Sequence, residues 1–72
     1  MWAVFHTLAT RHGDGQYLAS VKLDILPDVG KFVYVNGRLR QVVGQEWHIS
    51  GAKTFEHDDI VLRPPYVIVK VK

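Results

Sequence analysis

The side chains able to do chemistry are few and scattered. The four histidines fall at His6 in an apolar opening stretch, His12 in a polar turn, His48 beside Trp47, and His57 within Phe55-Glu56-His57-Asp58-Asp59. No two have the spacing of HExxH or HxH. Adjacent ligands such as Glu56 to Asp59 point apart rather than onto one ion, so no metal and no cofactor is expected. The aliphatic hydroxyls, Ser20, Ser50, Thr7, Thr10 and Thr54, lie in no nucleophile elbow and next to no obvious base. Glu46 and His48 stand two residues apart and share a strand face, an arrangement open to general acid–base work but more simply a surface ion pair. An enzyme is not expected.

The strongest binding signal is Lys31-Phe32-Val33-Tyr34-Val35-Asn36-Gly37-Arg38-Leu39-Arg40. Arg38 and Arg40 alternate along a strand and so point to one face, with Lys31 across the turn. Cationic groups beside the rings of Phe32 and Tyr34 would suit single-stranded nucleic acid, whose phosphates are neutralised while its bases stack. Lys70 and Lys72 would extend such a patch. The same pattern also describes a solvated hairpin face that discourages edge pairing. The outcome rests on register. A two-residue type I′ turn sets Val35 opposite Arg38 and separates the arginines from Phe32 and Tyr34. A turn with a glycine bulge sets Tyr34 opposite Arg38 and brings them together.

The elements that must position these groups read as strands. Gly, Pro and Asn-Gly breakers recur at short intervals between segments rich in Val, Ile, Leu, Tyr and Phe, and no helical period is sustained. At most Gly51 to Asp59 forms one helical turn. WAVFHTL should pair antiparallel with YLASVKLDIL through RHGDGQ. In the second segment Tyr17, Ala19, Val21, Leu23 and Ile25 alternate with Leu18, Ser20, Lys22, Asp24 and Leu26. Pro64-Pro65 precede YVIVKVK and lack backbone donors, so that strand begins late or lies at an edge. Val42-Val43-Gly44 marks a corner where a strand bends or carries a bulge.

From PDVG through Phe32-Val33-Tyr34-Val35, the Asn36-Gly37 turn, Val42-Val43 and the bend to Trp47, the chain resembles the SH3-like barrels. The resemblance spans residues 27 to 49 and implies a barrel. The acidic loop and paired tyrosines of the peptide-binding SH3 domains are missing, so it does not imply proline-peptide binding. The expected fold is all-β: a small, strongly bent antiparallel sheet or SH3-like barrel of five to seven short strands, one domain over residues 1–72. Of the two tryptophans, Trp47 is the better core candidate and Trp2 could clamp the fold or meet a partner.

Size and composition bound the function. A chain of 72 residues without cysteine has no disulfide to stabilise it, and 47% of its residues are hydrophobic. Its net charge of +2 permits an anionic partner without arguing for one. MWAVFHTLA is too short to span a bilayer and has no basic leader, so a cytoplasmic chain without a membrane partner is expected. With the apolar faces turned inward, Leu18, Leu26, Tyr66 and Ile68 are left outside, and with Trp2 they suggest a homo-oligomer interface. The function expected is a small non-enzymatic binding or adaptor module acting through protein–protein contacts. The alternative is a nucleic-acid binder using Lys31, Phe32, Tyr34, Arg38 and Arg40.

Overall fold

A computed structural model describes residues 1–72. The breakers divide the chain into seven strands and no helix: β1 (Trp2–Thr7), β2 (Tyr17–Lys22), β3 (Phe32–Val35), β4 (Arg38–His48), β5 (Phe55–His57), β6 (Ile60–Leu62) and β7 (Tyr66–Val71). Five form one sheet, in the order β2-β1-β7-β4-β3, that curls almost into a closed barrel, while β5 and β6 make a separate two-stranded ribbon. The fold is all-β, as the alternation and turn spacing require. The proposed helical turn at Gly51 to Asp59 does not form, because Phe55–His57 is instead the first strand of the ribbon.

One pairing departs from an all-antiparallel sheet: β1 and β7 run parallel, with Trp2 level with Tyr66 and Phe5 level with Val69. β7 begins at Tyr66, directly after Pro65, so each of its residues keeps its backbone donor. It therefore sits at the middle of the sheet rather than at an edge. β4 is the bent strand. Its first residues pair with β3, its later ones with β7, and its register with β7 shifts between Val42 and Gly44. The expected corner is there.

Alternation along the central pair sends side chains into two cores. Ala3 and Phe5 of β1 and Val67, Val69 and Val71 of β7 face the barrel interior with Val35 and Val42. Val4 and Tyr66 face the other way and are covered by Leu62 of the ribbon, with Phe55, Ile60 and Ile68 packed alongside. This second core accounts for residues expected at an interface. Tyr66 is 1% exposed, and Ile68 packs against it under the ribbon. Leu18 is the additional residue at a bulge where β2 opposes Phe5 and His6, and it packs on the interior core. Leu26 does the same because β2 ends at Lys22. The chain then turns, and Leu23 and Leu26 fold back inward while Ile25 is left 86% exposed. Of the five expected interface residues only Trp2 remains exposed.

Trp47 is not core. Both tryptophans are exposed, and the Trp47 indole N–H donates to Gln45 Oε1 at 3.1 Å. The interior is filled by Val and Ala from both central strands and by Phe5, so the indole stands at its rim beside Met1 and Leu23. No helix is long and apolar enough to cross a membrane.

Two glycines test this packing. A Cβ on Gly15 would overlap the Thr7 carbonyl oxygen and meet His6 Nδ1 at 2.9 Å, whereas on Gly44 the nearest atoms are Lys70 side-chain carbons at 3.7 and 3.8 Å. Gly15→Ala should lower stability by about 1–3 kcal/mol. Gly44→Ala should change it by less than about 0.5 kcal/mol, although Gly44 lies at the corner. Urea denaturation separates the two, and equal losses would refute the placement of Gly15.

Candidate functional site

The Asn36-Gly37 turn takes the two-residue form. Asn36 and Gly37 have φ of 52° and 81°, Val35 lies opposite Arg38, and Tyr34 lies opposite Leu39. Positive φ at both turn residues matches the right-handed twist of the flanking strands. Residues directly opposite share a face, so Val33, Val35, Arg38 and Arg40 turn to the interior side and Phe32, Tyr34 and Leu39 to the outside. The five residues expected to form a basic, aromatic surface are thereby divided between two faces. Arg40 is half-buried, its Nη1 donates to the Lys72 carbonyl at 3.0 Å, and its Nε is buried without a partner. This bond ties β4 to the end of β7. Lys70 Nζ lies 3.7 Å from Glu46 Oε1, which leaves no continuous basic stripe with the aromatics.

The same register exposes a different site. β2 and β3 are the two edges of the sheet and do not pair with each other. At one end Asn36 Nδ2 donates to the Leu18 carbonyl at 3.0 Å and draws the edges together. Away from that link they part around a groove of about 410 Å³. Val21, Leu23, Ile25, Leu26 and Pro27 line one side, Val33 and Tyr34 the other, with Phe5 at the base. Ile25, Phe32 and Tyr34 are 86%, 63% and 75% exposed, so the apolar surface continues past the rim.

Backbone phase determines what each edge offers. Val42 N donates to Lys31 O, and Val35 opposes Arg38 across a two-residue turn, so the odd residues of β3 direct their peptide groups at β4. Phe32 and Tyr34 direct theirs into the open seam. On β2, Leu23 N donates to Met1 O, so Leu18, Ser20 and Lys22 point outward. That edge is partly guarded: Asn36 occupies the Leu18 carbonyl and Lys22 stands at the far end. β3 has neither proline nor charge within Phe32–Val35.

Away from the seam, a line of ring contacts holds the ribbon to the sheet. Tyr17 stacks on His57 at 4.0 Å and on Phe55 at 5.9 Å; Phe55 meets Tyr66 at 6.3 Å, and His48 lies flat on Tyr66 at 4.5 Å and 5°. Glu46 and His48, expected as a pair from their spacing, meet at 2.7 Å. The hydrogen bond from His48 holds the Glu46 carboxyl below its ordinary range; burial opposes it, and the nearby Lys70 adds a lesser downward pull. Burial, and secondarily the Glu46 charge, pushes the Tyr66 phenol up; it donates to the Lys53 carbonyl at 3.4 Å. His57, not expected from the sequence as part of a strand, ends β5 and faces the sheet. Its signal was the alternation of Phe55, His57, Ile60 and Leu62 about Asp58-Asp59, which places all four on one side of a short hairpin. No three His, Asp or Glu side chains converge as metal ligands. In the polar depression beside the β1–β2 loop, the Thr7 and Thr10 hydroxyls accept the backbone N–H groups of Gln16 and His12.

The arrangement defines a small, nearly closed β-barrel with an apolar groove where closure fails. No family model matches the chain, and no curated protein and no solved structure matches it either.

The Glu46 carboxyl carries a pH prediction. A carboxylate whose pKa is lowered by folding adds stability that is present above its unfolded pKa and is lost as pH falls through the folded value. The melting temperature of the wild type should therefore exceed that of Glu46→Gln at neutral pH, with the gap closing below the ordinary carboxylate range. Thermal melts across that range check it. A gap independent of pH would show that the ion pair contributes nothing.

Proposed function

We propose that this protein is a small non-enzymatic binding module that acts through protein–protein contacts, taking an extended polypeptide segment into the seam between β2 and β3. The observation that carries this reading is the coincidence of an apolar groove with the unpaired peptide groups of Phe32 and Tyr34 along one wall. An added strand bonds its backbone to such an edge, and alternate side chains enter the groove, so affinity and specificity come from separate atoms. The segment favoured is apolar at every second residue, because Val21, Leu23, Ile25, Leu26 and Val33 offer no charge to pair with. The likeness to SH3-like barrels adds no binding residues to this reading. The absence of cysteine permits either redox compartment, and the cytoplasm is the location proposed.

The nucleic-acid alternative loses its support with the hairpin register, since the arginines and the exposed rings lie on opposite faces. The experiment that decides is selection from a displayed random peptide library, followed by affinity measurement against Ile25→Lys and Tyr34→Lys. Both positions are exposed, so a lysine at either meets solvent. Selected peptides should alternate apolar residues and lose roughly tenfold or more in affinity to either variant. Binding untouched by these variants would overturn the reading. So would tight, salt-sensitive binding of oligonucleotides that Arg38→Ala/Arg40→Ala abolishes.

A further inference from the structure

We infer that the segment taken at the seam is β3 of a second copy of this chain, paired antiparallel across a two-fold axis at Val33. The inference rests on the binding-module reading and names its partner. Phe32 and Tyr34 are the two residues of β3 whose peptide groups point away from β4, and they stand two apart. Antiparallel pairing of two such strands sets Phe32 opposite the second copy's Tyr34, and Tyr34 opposite its Phe32. Each pair exchanges both N–H···O bonds, and Val33 faces its own mate on the axis. No other register of four-residue strands uses all the open groups of both copies.

The side chains are self-complementary in the same register. Opposed residues share a face, so the exposed rings of Phe32 and Tyr34 from one copy lie against Tyr34 and Phe32 of the other, with Leu39 flanking them. These rings lie outside the hairpin, and nothing in the protomer covers them. Charge does not oppose the pairing within the strand, since Phe32–Val35 carries none. Lys31, immediately before β3, falls opposite Val35 of the second copy in this register. β2 cannot serve equally, since Asn36 already occupies its Leu18 carbonyl.

The absence of cysteine makes the register directly testable. Sedimentation of the intact chain at micromolar concentration should show a species of twice the chain mass, and Tyr34→Lys should be monomeric with an unchanged β-sheet circular dichroism spectrum. Under mild oxidation Val33→Cys should crosslink to itself. Phe32→Cys alone should not, whereas a mixture of Phe32→Cys and Tyr34→Cys chains should form the mixed dimer. As Val33 is half-buried, the mixed pair carries the test if Val33→Cys fails to fold. A monomer that still binds the selected peptides at the seam would overturn the self-pairing and leave the binding-module reading standing. A dimer indifferent to Tyr34→Lys, or crosslinking in another pattern, would overturn the self-pairing. A monomer that selects no peptide would overturn both.

Discussion

The structure depends on the parallel pairing of β1 with β7, because that pair is apolar on both faces. Val67, Val69 and Val71 with Ala3 and Phe5 need cover on one side, and Val4, Tyr66 and Ile68 need it on the other. A sheet with one solvated face could not satisfy them. The chain answers with two different covers. On one side the sheet curls until its outer strands shelter the interior; on the other, the β5–β6 ribbon lies across the middle and is fixed by the stacked rings of Tyr17, His57, Phe55, Tyr66 and His48. A large ribbon is not needed, since its Leu62, Phe55 and Ile60 suffice to cover Val4 and Tyr66.

That division of material explains why the barrel does not close. Six residues go to the two ribbon strands rather than to a sixth strand of the main sheet. The remaining five strands bring β2 and β3 within reach of one side-chain bond, from Asn36 to Leu18, but not into a ladder. Leu23 and Leu26, released where β2 ends, fill the space beneath the gap from inside. They cannot satisfy its backbone groups. An apolar lining with unpaired peptides beside it is thus a consequence of covering both faces of the central pair with a short chain, and the cost of leaving peptide groups unpaired is what favours a further strand there.

Much of the fold was legible. Alternation located β1, β2, β4 and β7, the Asn36-Gly37 pair located the β3–β4 hairpin, and Val42-Val43-Gly44 located the corner. What could not be read followed from one ambiguity. A strand flanked by neighbours on both sides and covered on both faces shows apolar residues at odd and even positions alike, so Tyr66 and Ile68 read as surplus rather than as a second core. The partner that makes them core is a ribbon of six residues, too short to stand out from a loop until Phe55, His57, Ile60 and Leu62 are seen to share a side. Trp47 misled for the reverse reason: a large ring suggests a core, but this interior is filled by valines, Ala3 and Phe5, and the indole stands at its rim.

The candidate site turns on a single residue of register. Had the Asn36-Gly37 turn carried a bulge, Arg38 and Arg40 would share a face with Phe32 and Tyr34, and the hairpin would present charge and rings together. With the two-residue turn, Val33 and Val35 are available to the interior, Arg40 is drawn to the Lys72 carbonyl, and the rings are left outside without a neighbouring cation. Burial of Val35 and Val42 together enforces that choice, since a one-residue slip between β3 and β4 would turn one of them out of the core. The interior therefore selects the register, and the register in turn selects which chemistry the surface offers: an uncharged edge with aromatic side chains on one face and the two arginines on the other.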